Sequence, residues 1–261
     1  MKPLLSIVTL LLLAPSVYAA DSLSGAWTAG TQPGAQTYVF KLQADSRFTG
    51  IVCGPCDDPS SVFRIEDGRV LADGRVTFVI GYDVGGPLFQ KLGPYQDQVT
   101  ATRTGTTWSL RSQRVGGGEP PAMTALTRVV ADYEGLTSPR PAAPSPNAVA
   151  KVSPIEGKWV AAGRRTQQNV ILKVRDNLAW GLICGPCTPE GVFLIDDGTV
   201  EGDKVTFYIN HLDTPASARK SGVGRNVMRG TLTGNVMKFA WVREGAENEP
   251  GGEMTFIGPI R

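Results

Sequence analysis

The chain is short of the residues that most catalytic chemistry uses. It has one histidine, His211, and four cysteines among 261 residues. A lone histidine without a counterpart elsewhere is a poor basis for acid–base or triad chemistry and reads as a surface strand-end residue. An excess of one charge is also missing. The 26 Lys+Arg and 24 Asp+Glu leave a formal net charge of +2, with both signs mixed along the sequence. There is no basic stripe of the kind that binds nucleic acid. Beyond the first residues no apolar run approaches the roughly 20 residues a membrane span needs, so no membrane span is expected. No stretch shows the apolar stripe of an amphipathic helix.

What is present begins with Met1-Lys2, an apolar run from Leu4 to Leu13, and Ser16-Val17-Tyr18-Ala19. A basic start, a short apolar core and small residues before a cleavage point define an expected signal peptide over residues 1–19. No cysteine follows the run, so no lipid anchor is expected there. The mature chain is expected to be exported, periplasmic or secreted. Glycine (31 residues) and proline (19 residues) are plentiful, as turns between many short strands require.

The sequence repeats itself. Gly25-Ala-Trp27 matches Gly157-Lys-Trp159, Ile65-Glu-Asp-Gly68 matches Ile195-Asp-Asp-Gly198, and Val76-Thr-Phe78 matches Val205-Thr-Phe207. Cys53-Gly-Pro-Cys56 matches Cys184-Gly-Pro-Cys187, using every cysteine in the chain. Matches in the same order through both halves indicate a duplicated domain. The expected units are residues 20–130 and 155–261, joined by a Pro-rich linker over 131–154.

Within each copy apolar residues alternate, as in Tyr38, Phe40 and Leu42 or Val76, Phe78 and Ile80. That period marks half-buried strands. Turns are expected at Ala44-Asp-Ser46, Glu66-Asp-Gly68, Ala72-Asp-Gly74 and Thr104-Gly105. Gly116-Gly-Gly118 and Gly251-Gly252 read as loops before the last strand of each copy. The fold class is therefore all-β: two tandem antiparallel meander barrels of about eight strands each, with a β-sandwich as the runner-up. Gly25, Trp27, Gly157 and Trp159 are structural, the tryptophans as core at a barrel floor. The Gly-x-Trp near the first strand, followed by Phe48-Thr-Gly50, resembles the opening of avidin and lipocalin barrels. The resemblance implies a barrel shape and assigns no ligand residue.

Cys-Gly-Pro-Cys resembles the thioredoxin redox motif, which would make each copy a thiol–disulfide oxidoreductase. That reading requires a helix after the motif, and the residues that follow, Asp57 to Ser61 and Thr188 to Gly191, are turn-like. A second alternative is a zinc ion held by Cys53, Cys56, Cys184 and Cys187, which would require the two domains to dock. The favoured reading is a disulfide within each pair, Cys53–Cys56 and Cys184–Cys187, since an exported chain meets an oxidising environment. So short a loop contributes about 2 kcal/mol through chain entropy. Each bridge is expected to stiffen a loop at one barrel end, where it could shape a binding mouth.

The remaining candidates have plainer explanations. Glu66-Asp67 and Asp196-Asp197 could form a paired-carboxylate site, but Asp before Gly in a turn accounts for them. Arg164-Arg165 and Arg219-Lys220 read as solvated loop faces. The function this supports is a non-enzymatic module of the cell envelope, structural or binding, with an unidentified small ligand or envelope protein as partner. No cofactor is expected, zinc belonging only to the alternative.

Overall fold

The structure is a computed structural model, and it describes residues 23–32, 34–82, 94–131, 153–162, 167–210, 225–243 and 249–258. The expected signal peptide, nearly all of the linker, His211, Arg164-Arg165 and Arg219-Lys220 lie outside the described residues.

Each half of the chain closes into an eight-stranded antiparallel meander barrel. The first comprises β1 (Gly25–Thr28), β2 (Thr37–Leu42), β3 (Arg47–Cys53), β4 (Val62–Val70), β5 (Val76–Tyr82), β6 (Tyr95–Thr104), β7 (Thr107–Arg114) and β8 (Ala122–Ala131). The second comprises β9 (Gly157–Ala162), β10 (Gln167–Arg175), β11 (Leu178–Cys184), β12 (Val192–Glu201), β13 (Lys204–Asn210), β14 (Arg225–Thr233), β15 (Val236–Arg243) and β16 (Glu249–Gly258). Closure comes from pairing of β1 with β8, and of β9 with β16. A closed barrel leaves no unpaired strand edge.

The expected strands and most expected turns are found. Glu66-Asp-Gly68 is a correction: it is not a hairpin but a bulge inside the single strand β4, where the register with β5 shifts between Glu66 and Arg69. Asp196-Asp-Gly198 makes the same bulge in β12. Asp67 and Asp197 both stand at φ 50°, a left-handed conformation that aspartate tolerates in a bulge as well as in a turn. Gly68 follows because a Cβ there would collide with the backbone and ring of Phe48. Gly251-Gly252 is a second correction, for it lies within β16 rather than in a loop. The pair Phe239–Gly252 belongs to the β15–β16 ladder, so those glycines are strand residues without side chains to pack.

The tight turns after β2, β4 and β6 lie at one end of the first barrel, the floor. The longer connections after β1, β3, β5 and β7 lie at the other, the mouth. At the floor the Trp27 indole N–H donates to the Leu23 carbonyl at 2.8 Å, and Trp108 meets the Trp27 ring edge-on at 6.5 Å. Arg128 covers Trp27 from 5.3 Å and donates to the Ser24 carbonyl at 2.7 Å. Above them Phe40, Phe48 and Phe78 pack edge to face with centroids 5.6–5.7 Å apart. The second barrel repeats the floor contact, Trp159 donating to the Ile155 carbonyl at 2.9 Å. Its interior is filled by Leu172, Ile195, Phe207 and Met228. Small eight-stranded barrels are filled by their own side chains in this way.

Candidate functional site

Two places depart from the filled apolar interior: the mouth of the first barrel, and the junction where the barrels meet.

The mouth is built by inward positions at the loop-bearing strand ends. Phe63 is the second residue of β4, Tyr82 closes β5, Tyr95 and Asp97 lie at the start of β6, and Arg114 closes β7. Phe63 meets Tyr82 at 4.6 Å, and Tyr82 stacks on Tyr95 at 4.5 Å with 15° between the planes. Arg114 covers the outer face of Tyr95 at 4.7 Å and pairs with Glu119 at 3.1 Å. The Tyr82 hydroxyl lies close enough to the Asp97 carboxylate to favour its charged form. Tyr38 lies beneath, its hydroxyl 3.0 Å from Gln36 Oε1. Burial, reinforced by the Asp97 charge, pushes the Tyr38 phenol up to about 12 and raises Tyr82 further. Burial likewise raises the Asp97 carboxyl above its ordinary value, with Arg114 opposing. The second barrel carries Val170 and Asn226 where the repeat aligns Tyr38 and Asp97, so the polar aromatic cup belongs to one copy. Sequence reasoning missed it, because these residues are scattered over strand ends and share no motif. The available signal was that Tyr82, Tyr95 and Asp97 are replaced in the second copy, while Phe63 and Arg114 recur there as Phe193 and Arg243.

At the junction, the outer faces of β2–β4 pack against those of β10–β12. Val39, Ile51, Cys53 and Val62 form one apolar cluster with Ile171, Leu182, Cys184 and Val192. The contacts are reciprocal. Lys158 of β9 reaches the Asp57 carbonyl at 2.6 Å, while the turn Pro189–Gly191 of the second barrel packs on β1 and β8 of the first. Like ends meet, so the mouths point the same way. Here too lie charges that the repeat offered as candidates. Lys41, with a fully buried side chain, approaches Asp196 at 2.6 Å and Asp197 at 3.8 Å. Arg175 pairs with Glu66 at 3.1 Å, and Lys173 lies 5.4 Å from the centres of the Trp180 and Phe63 rings. The sequence carried a signal for this buried outer face: in Tyr38 to Phe40 and Ile51 to Cys53 the polar member of the alternation is missing, as in strands covered on both sides.

Both Cys-Gly-Pro-Cys loops form disulfides within the pair, Cys53–Cys56 and Cys184–Cys187, each with Cα atoms 4.9 Å apart. They sit at the mouth end as expected, but on the outer wall and inside the junction, where Cys53, Cys56 and Cys184 are buried. They therefore brace the contact between barrels rather than line a mouth. A short turn, Pro59–Ser61 or Pro189–Gly191, follows each motif in place of a helix. The docking that a shared zinc site would need is present, yet sulfurs joined in disulfides are not the thiolates zinc binds. Gly25, Trp27, Gly157 and Trp159 occupy the first strand of each barrel, with Gly25 and Gly157 at φ 126° and 151°.

No family model matches the chain, and no curated protein matches it. Among solved structures it is similar to a candidate outer membrane protein of Bacteroides fragilis, at 10% identity and a TM-score of 0.28, over 92% of this chain and 99% of the other. A score that low establishes no shared fold.

Proposed function

We propose that this is an exported, non-enzymatic binding module of the cell envelope, whose small-ligand site is the mouth of the first barrel. Export is supported by the signal-like residues 1–19 and by disulfides, which persist in oxidising compartments. The observation that carries the binding site is the change in interior composition along the first barrel. Below, aromatic and aliphatic side chains fill the volume. At the mouth the lining becomes Tyr82, Tyr95, Asp97 and Arg114, an aromatic stack beside one acid and one base. Ligand sites combine apolar surface with a few placed polar groups in this manner. With the lower barrel full, the ligand is held in a shallow cup against the edges of the stacked tyrosines, whose faces Phe63 and Arg114 cover, with a polar end at Asp97 or Arg114.

A compound screen by thermal shift tests the proposal, comparing the wild type with Tyr82→Ala and Asp97→Asn. Ligands that raise the melting temperature of the wild type are expected to lose that effect in both variants. Stabilising compounds indifferent to both substitutions would place binding elsewhere.

A further inference from the structure

The junction leaves a cleft of about 300 Å³ toward the floor side, between β3 and β4 of the first barrel and β11 and β12 of the second. Part of its charge is spent on holding the barrels together, through Lys41 with Asp196 and Arg175 with Glu66. Among the described residues, neither Arg64 nor Asp67 makes a side-chain hydrogen bond or ion pair, and both line the cleft. The Arg64 guanidinium lies 5.8 Å from the centre of the Trp180 ring. Burial lowers its pKa from the ordinary arginine value, with the nearby Arg175 adding to the effect and the carboxylates of Glu66, Asp197 and Asp196 opposing it, so the cation is held partly away from water. Thr49 also lines the cleft, and its hydroxyl is buried without a partner. A guanidinium resting on an aromatic ring offers its fork of N–H donors to a carboxylate.

The bulge described above decides what else the cleft presents. In a regular strand residues 64 and 67 would face opposite sides. The extra residue at Asp67-Gly68 turns Asp67 out to the face that Arg64 shares. In the second barrel the same device lets adjacent Asp196 and Asp197 both approach Lys41. The backbone positions of Arg64 and Asp67 are then separated by three residues of strand, about 10 Å, a span that an extended dipeptide, about 7 Å along its backbone with a hydrogen bond at each end, matches. Apolar wall between the charges comes from Ile51, Leu178 and Leu194.

We propose that the inter-barrel cleft binds a small zwitterion of dipeptide size, its carboxylate on Arg64 and Thr49 above Trp180 and its ammonium toward Asp67. The site is independent of the barrel mouth.

Calorimetric titration of the full-length protein with L-alanyl-L-alanine tests this, alongside the same dipeptide blocked as its N-acetyl or C-terminal amide form. The free dipeptide is expected to bind, and each blocked form to bind about tenfold more weakly, the effect of losing one charge-assisted contact. Arg64→Gln should reproduce the loss seen with the amide, Asp67→Asn the loss seen with the acetylated form, and Tyr82→Ala should change nothing. No binding by the wild type, or equal binding of free and blocked forms, would overturn the assignment. The blocked ligands keep the test valid on the wild type should Arg64→Gln not fold.

Discussion

Lys41 stands on the outer face of β2, a position where lysine ordinarily meets water. Its side chain is fully buried against the second barrel, with Asp196 at 2.6 Å. An ammonium group in that setting depends on its carboxylates, because desolvation is costly and only close opposite charge offsets it. Truncating one member strands the other. Lys41→Ala is therefore expected to lower the unfolding free energy by about 3–5 kcal/mol, measured by denaturant titration. The double replacement Lys41→Met with Asp196→Leu should recover much of that loss, since a buried pair and a packed apolar contact are close in free energy. Glu66→Gln, at the part-exposed pair with Arg175, should cost under about 1 kcal/mol.

The Cys-Gly-Pro-Cys elements show what a motif can and cannot convey. Replacing Cys53 and Cys56 together by alanine should remove about 2 kcal/mol of chain-entropy stabilisation. Because both sulfurs are buried in the junction, it should also loosen contact between barrels, seen as faster hydrogen exchange on β10–β12 than in the wild type. Exchange changes confined to the altered loop would mean the bridge serves only its own barrel. The repeat, the strands and the intra-pair bridges were legible in sequence, since alternation in Val76, Phe78 and Ile80 and the spacing of the cysteines are local signals. The bulge at Asp67 was not, because Asp-Gly suits a hairpin and a bulge equally and only pairing with β5 separates them. The mouth was illegible for another reason: Phe63, Tyr82, Tyr95 and Arg114 come from four strands whose ends converge only when the barrel closes.

At the scale of the whole molecule, the mouth tyrosines tie stability to alkaline pH. A phenol whose folded pKa lies above its unfolded value favours the protonated native state. The stability it contributes is complete below the ordinary tyrosine value of 10.0 and is lost as pH rises through about 12, the position of Tyr38. Melting temperature should therefore fall as pH increases above about 10, and Tyr38→Phe should flatten that fall. A wild type whose melting temperature is level from pH 9 to pH 11 (about one unit either side of the free phenol) would contradict the burial of these hydroxyls. The reciprocal packing of β2–β4 on β10–β12 has a separate consequence. Two identical barrels meeting through such a face would each have to complement themselves, every change appearing twice across the two-fold axis. Fusion of both copies in one chain lifts that constraint and supplies each face with its partner at high local concentration. The halves have accordingly drifted apart where they touch: Trp180 faces the cleft where the first copy has Thr49, and Arg175 where it has Gln43. The duplication thus turned a symmetric seam into an asymmetric one, in which the guanidinium-over-indole contact of Arg64 and Trp180 occurs once, with Leu194 and Thr49 at the matching positions.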